Sequence, residues 1–252
     1  LHDLRRALLL PPPLPRIDGT PGRGRVAGLD PDRVRRNLDE VRAQLPDPDI
    51  TVLAAVKYLA AADLPALWEA GIRVVGENRA QELEQKATEY PDFTWDFIGH
   101  LQSRKVKTVL PLVRWIHSVA SDSALKELGK HGTPATEVLV EVNIAGEEGK
   151  SGIAPADLPA FLERCPVTVV GLMTMPPFTE NPEDSRRHFA ALAQLASVGA
   201  IVAAAQRVVV EEGAEAALPV DQRAVAVECA AGGVHRSPTL GTSQYWNRFS
   251  RM

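Results

Sequence analysis

The sequence predicts an α/β fold on a parallel sheet, either a closed (β/α)8 TIM-type barrel or an open doubly wound sheet. Between about residues 50 and 196, six short apolar runs alternate with helix-like segments. Strands that alternate with helices need crossover connections and so lie parallel. The 252 residues fit one α/β barrel. No GxGxxG follows the first strand and no GxxxxGK[ST] occurs, which removes support from nucleotide-binding open sheets.

The elements follow in order. Val34, Leu38, Val41 and Leu45 step by one helical face, and Asp30-Pro31 reads as an N-cap with proline at the first helical position. ITVLAAVK (50–57) is almost wholly apolar, as expected of a strand covered on both faces. DLPALWEA (63–70) is a helix stopped by Gly71, RVVGEN (73–78) a strand, and AQELEQKATEY (80–90) a helix. TWDFIGH (94–100) is a strand, and LQSRKVKTVLPLV (101–113) a helix broken near Pro111. WIHSVA (115–120) is a strand, followed by a helix capped at Ser121 or Asp122. TEVLVEVNI (136–144) and TVVGLMTM (168–175) are strands, with helices over 155–164 and 182–196.

Beyond residue 196 the rhythm fades. Residues 190–233 hold 15 alanines, and 190–244 hold no aromatic. VGAIVAAAQRVVVEEGAEAA has room for a strand and a helix, so at most one of the two further units of an eight-fold barrel is expected. Residues 1–28, with five arginines and many Pro and Gly, read as a disordered or loosely docked tail, and 29–252 as the barrel.

Composition excludes several classes. A net charge of −4 gives no basic excess to drive nucleic-acid binding. No apolar run reaches the roughly 18–20 residues of a membrane span, and Pro11, Pro12 and Pro13 cut the N-terminal apolar run too short for a secretory segment. Cys165 and Cys229 make no disulfide framework and no CxxC, as in a reducing compartment. Cytoplasmic residence is therefore expected.

Several polar residues fall at the carboxyl ends of consecutive strands, the end at which α/β folds bind ligands. Lys57 closes the first strand, where burial would lower its pKa and make the amine a nucleophile towards a carbonyl. A lysine snorkelling from the strand end to water is the alternative. Glu77 and Asn78 offer an acceptor and an amide beside Gly76, which would admit a ligand closely, or else an Asx cap on the next helix. His100, Ser118, Asn143 and Thr174 end later strands; Arg104, Lys105 and Lys107 make a basic helix face able to attract an anion. His100 and His117 lack metal-site spacing, and Ser118 lies in no GxSxG elbow. NIAGEEGKSGI (143–153) reads as a mobile rim loop; Met173 and Met175 read as core or pocket wall.

Taken together, AVK, GEN, FIGHLQSRKVK, IHSV, VNIAGEEGKSGI and GLMTMPP, in this order over about residues 30–196, resemble the pyridoxal phosphate homeostasis protein family. The resemblance implies a barrel like the N-terminal domain of alanine racemase, with pyridoxal 5′-phosphate (PLP) held as a Schiff base on Lys57. It places Asn78 and His100 at the rim near the cofactor, and Ser118 and Met173 in its walls. It further implies a role in intracellular PLP supply to PLP-dependent apo-enzymes, without robust turnover. A monomer is expected. The C-terminal quarter departs from the family: Arg-Ile-Gly is absent, VVVEEGAE (208–215) resembles the family's last helix, and TLGTSQYW (239–246) resembles either of the two missing turns that hold the phosphate and face the pyridine nitrogen, out of the expected order. Loops after strands seven and eight usually make the phosphate site of such barrels, so Gly241, Thr242 and Ser243 are the expected phosphate ligands. An incomplete barrel would expose strand edges.

Other readings stay open. A PLP-dependent racemase needs two bases on opposite faces of Cα; Lys57 supplies one, while strand alternation turns Tyr58 the other way. A cofactor-free Schiff-base aldolase and a degenerate, non-functional barrel are the remaining two.

Overall fold

A computed structural model describes residues 29–43, 45, 50–177, 179 and 183–196, and the backbone of 207–211 and 223–228. The strands are β1 (Thr51–Ala55), β2 (Val74–Glu77), β3 (Thr94–Phe97), β4 (Trp115–Val119), β5 (Glu137–Glu141), β6 (Thr168–Thr174), β7 (Arg207–Glu211) and β8 (Arg223–Glu228). Each pairs in parallel with the next. β8 returns to β1 over Thr51↔Ala224 to Ala55↔Glu228, so the sheet closes into an eight-stranded barrel.

Closure corrects two expectations. Both missing strands are present, and Val208–Val210, read as part of a helix, pair with Leu172–Thr174 of β6 as β7. Three successive valines favour extended backbone, since their branched Cβ restricts χ1 in a helix. The tail over 1–28 lies outside the described residues.

The helices are α1 (Pro31–Arg42), α2 (Leu64–Glu69), α3 (Ala80–Glu89), α4 (Val106–Val109), α5 (Asp122–His131), α6 (Leu158–Glu163) and α7 (Glu183–Ala196). Asp30 caps α1 by accepting the Asp32 N–H (3.0 Å), and Ser121 caps α5 by accepting that of Ala124 (3.2 Å). Gly71 ends the α2 turn with φ +94°, a conformation open to glycine without a Cβ penalty. The long helix expected over 101–113 is instead a 3-10 turn (Ser103–Lys105), the four-residue α4, and a second 3-10 turn (Leu110–Leu112). Pro111 has no N–H to extend an α-helical ladder, which fits the early stop.

Strand residues alternate between two cores. Val75, Trp95, Phe97, Ile116, Val138 and Val140 pack outward against helix residues such as Leu67, Leu83, Leu128 and Phe161. Trp115, Leu139 and Met173 form a smaller cluster of their own, from alternate positions on β4, β5 and β6. Burial on both faces explains why the strands read as continuous apolar runs.

Leu67 of α2 is fully buried against the barrel. Leu67→Ala should lower the unfolding free energy by about 2–5 kcal/mol, read from urea denaturation; a loss under about 1 kcal/mol would contradict this packing.

Candidate functional site at the carboxyl mouth of the barrel

Parallel register decides which side chains meet at the mouth. Ala55 of β1 lies opposite Gly76 of β2, and the Val56 N–H donates to the Gly76 carbonyl (2.8 Å). Lys57 and Asn78 each lie two residues further on, so both leave the sheet at the same rim. Lys57 is half-buried in the turn that follows β1. That turn is closed by the Leu59 N–H donating to the Val56 carbonyl (3.1 Å), so strand alternation no longer applies. Tyr58 therefore does not point away: the Lys57 Nζ lies 5.2 Å from the centre of its ring.

Asn78 is half-buried, and its Oδ1 is shielded from solvent without a hydrogen-bond partner. It makes no Asx cap, since the N-cap position of α3 is Arg79 and carries no side-chain cap bond. Glu77 satisfies the local amides instead. Its Oε1 accepts the N–H groups of Asn78 (2.7 Å) and Arg79 (3.2 Å). Glu77 is thus no open acceptor at the rim; it is fully buried, with Oε2 2.6 Å from the Lys86 ammonium.

Gly76 does not admit a ligand. A Cβ there would stand 2.7 Å from Leu53 Cδ2 and 2.9 Å from Ile98 Cγ2, so side chains of the barrel fill the space. Gly99 is a tighter case: its Cβ would fall 2.1 Å from the Asn78 carbonyl oxygen, so the loops after β2 and β3 touch backbone to backbone.

His100 is exposed and lines a cavity of about 550 Å³ together with Asn78, Arg79, Gln102, Arg104 and Lys105. Two of the three basic residues singled out on the α4 segment therefore face this recess; Lys107 is exposed and does not line it. Ser118 is buried and donates its hydroxyl to the Gly99 carbonyl, fastening the β3 loop to β4. Met173 packs with Trp115 and Leu139, whereas Met175 is 55% exposed and is no part of a wall. Thr174 donates to the Val142 carbonyl (2.7 Å). Gly241, Thr242 and Ser243 lie outside the described residues.

The loop after β5 is held more firmly than its glycines suggest. Asn143 Nδ2 donates to the Glu147 carbonyl (2.9 Å), the Ser151 hydroxyl donates to Glu141, and the Ile153 N–H donates to the Glu141 carbonyl (2.8 Å).

A buried polar cluster joins β3 to β4. Asp96, with no exposed surface, accepts from Arg114 Nε (3.0 Å) and Nη2 (2.5 Å) and from His117 Nε2 (3.1 Å). Burial alone would raise the Asp96 pKa, but these hydrogen bonds and charges outweigh it and hold the carboxyl below its ordinary value. The Arg114 guanidinium also stacks 3.7 Å from the Trp115 ring centre. Asp96 was legible only as a charge in an apolar strand. Lys86 gave no signal, since a lysine four residues after Glu82 looks like an exposed helix pair.

The closed parallel barrel, with Lys57 and Asn78 at its carboxyl mouth, defines the class of parallel (β/α)8 barrels. The family model described as "Alanine racemase, N-terminal domain" matches residues 29–214. A pyridoxal phosphate homeostasis protein of Aquifex aeolicus is 39% identical over 153 residues, 57% of this chain and 67% of that protein. One from Synechocystis is 34% identical over 172 residues, 63% of this chain and 77% of its own. The solved structure of PipY from Synechococcus elongatus with PLP bound is 26% identical, with a TM-score of 0.64, and the match covers 77% of this chain and 97% of that one. A lysine/ornithine decarboxylase of Vibrio vulnificus, 16% identical with a TM-score of 0.64 over 79% of this chain and 61% of its own, shares the fold. The chain belongs to the alanine racemase N-terminal domain family and, within it, to the pyridoxal phosphate homeostasis proteins.

Because the folded pKa of Asp96 is depressed, its contribution to stability is complete above the unfolded value of about 3.9 and is lost as pH falls through the folded value. Asp96→Asn should cost about 3 kcal/mol at pH 7, and the gap to the wild type should narrow below about pH 4 in urea titrations. A gap that does not change with pH would contradict the ionised cluster.

Proposed function

We propose that this protein binds PLP covalently through Lys57 and serves in intracellular PLP supply rather than in robust catalysis. The observation that carries this reading is the parallel register of Ala55 with Gly76, after which Lys57 and Asn78 both emerge at the barrel mouth. Bound PLP supplies an aldehyde able to condense reversibly with a primary amine. Lys57 is the amine placed to receive it, half-buried and held in a closed turn. The shielded, unspent Oδ1 of Asn78 is the kind of group a polar ligand satisfies. His100, Arg79, Arg104 and Lys105 line a recess that Asn78 shares and Lys57 does not, and their charge favours an anionic ligand on that side. Ser118 and Met173 act from beneath, by fastening the β3 loop and filling the core. Gly241, Thr242 and Ser243 receive the phosphate in this reading. PipY, solved with PLP bound, and the relatives named for pyridoxal phosphate homeostasis support it.

The same reading places the protein in the cytoplasm, as a monomer that passes PLP to apo-enzymes. Among the described residues no helix is long and apolar enough to cross a membrane.

One observation favours a racemase-like activity instead. The Tyr58 ring beside the Lys57 ammonium sets a second ionisable group near the amine. Racemisation of amino acids by the PLP-loaded protein, lost in Tyr58→Phe, would establish that reading; its absence leaves the carrier.

After borohydride reduction, the tryptic fragment that contains Lys57 should carry the reduced PLP mass. Lys57→Ala should lose it while melting within about 2 °C of the wild type, the scale of a change under about 0.5 kcal/mol. A hydride-trapped adduct of undiminished yield in Lys57→Ala would overturn the assignment. Gly241→Phe should weaken PLP binding, read by fluorescence titration, and an unchanged dissociation constant would remove the 241–243 turn from the phosphate site.

A further inference from the structure

Lys86 lies on α3, on the outside of the barrel, yet only 5% of its side chain meets solvent. Its three ammonium protons are fully engaged: Nζ donates to Glu77 Oε2 (2.6 Å), the Val56 carbonyl (2.9 Å) and Glu82 Oε2 (3.3 Å). Glu77 has no exposed surface, and its other oxygen accepts the amides of Asn78 and Arg79. Every polar atom of this buried pair is thus spent, and most of the bonds go to backbone.

Stability alone does not account for such a pair. Two buried charges lose more hydration than their attraction returns unless further hydrogen bonds compensate, and an apolar pair of equal volume is often as stable. An apolar pair could not hold a carbonyl and two amides. Those three backbone groups belong to Val56, Asn78 and Arg79, which either adjoin or are the residues that leave β1 and β2 for the mouth.

We infer that Glu77 and Lys86 are positioning residues: their buried ion pair clamps the Val56 carbonyl and the Asn78 amide, and so fixes where the Lys57 amine and the Asn78 side chain stand relative to each other. The inference rests on the PLP reading above. Reacting groups at such sites must be held within a few tenths of an ångström, and residues that support the contacting ones supply that precision. The chain reaches Lys57 from the β1 side and Asn78 from the β2 side, and Lys86, from α3, is bonded to both branches at once.

The test compares Lys86→Met with Leu128→Ala, a core truncation on α5 away from the pair. Both are expected to melt below the wild type. PLP is titrated at a temperature where all three proteins are folded, following the absorbance of the bound cofactor and the yield of borohydride-trapped adduct on the Lys57 fragment. Lys86→Met should bind about tenfold or more weakly, with a shifted absorbance maximum, the scale on which supporting residues act at ligand sites. Leu128→Ala should bind like the wild type. Glu77→Gln, which keeps the acceptor but not the charge, should fall between.

Binding by Lys86→Met within twofold of the wild type, or equal weakening in Leu128→Ala, would leave the pair a structural tie only and overturn the inference while the PLP reading stands. A wild-type protein that traps no PLP on Lys57 would overturn both. Should Lys86→Met not fold, amide hydrogen exchange on the PLP-free wild type decides. Residues 55–58 and 77–80 should exchange as slowly as β1 and α3; exchange as fast as the 146–150 loop would show that no clamp exists.

Discussion

The parallel register of a closed ring governs everything at the mouth. Because every strand pairs in parallel with the next around the ring, all of them end on the same side, and each inward position lies one residue away from a helix-facing one. Two residues past the pairing of Ala55 with Gly76, Lys57 and Asn78 both leave the sheet at the same rim. The same parity sends Val75, Trp95 and Val138 to the helices and brings Trp115, Leu139 and Met173 together on the other side. Chemistry at the rim is thus an extension of the packing rule below it.

Among the described residues, two clusters of ion pairs with buried carboxylates interrupt that apolar rule, and they do different things. Asp96, Arg114 and His117 join strand to strand, with side chains bonded to side chains. Glu77 and Lys86 bond mainly to main chain, at the points where two strands give way to loops. Both clusters bury charge that an apolar core would not carry, and both are satisfied by several partners rather than by one. The first ties neighbouring strands of the wall together; the second registers the exits.

Much of this was legible in the chain. β1 to β6 announced themselves because strands buried on both faces read as short apolar runs, and Asp30 and Ser121 marked helix starts through their side-chain caps. β7 and β8 were obscured: RVVVE and RAVAVE lie in an alanine-rich stretch without aromatics, where strand and helix patterns look alike. Lys57 and Asn78 were visible as polar residues at strand ends. Lys86 was not, since only the tertiary fold shows that its helix face is covered. Gly76 misled in the opposite direction, for the room it leaves is taken by Leu53 and Ile98. The alternation that placed Tyr58 opposite Lys57 failed because the chain had already left the strand.

The contact between Gly99 and the Asn78 carbonyl has a consequence for how this rim can change. With no side chain between them, the loops after β2 and β3 are in backbone contact, and there is no room for a Cβ at position 99. A methyl group at position 99 would act as a wedge, lifting Asn78 from its seat before it disturbed anything in the core. A side chain at position 99 therefore requires a compensating shift of the Asn78 backbone.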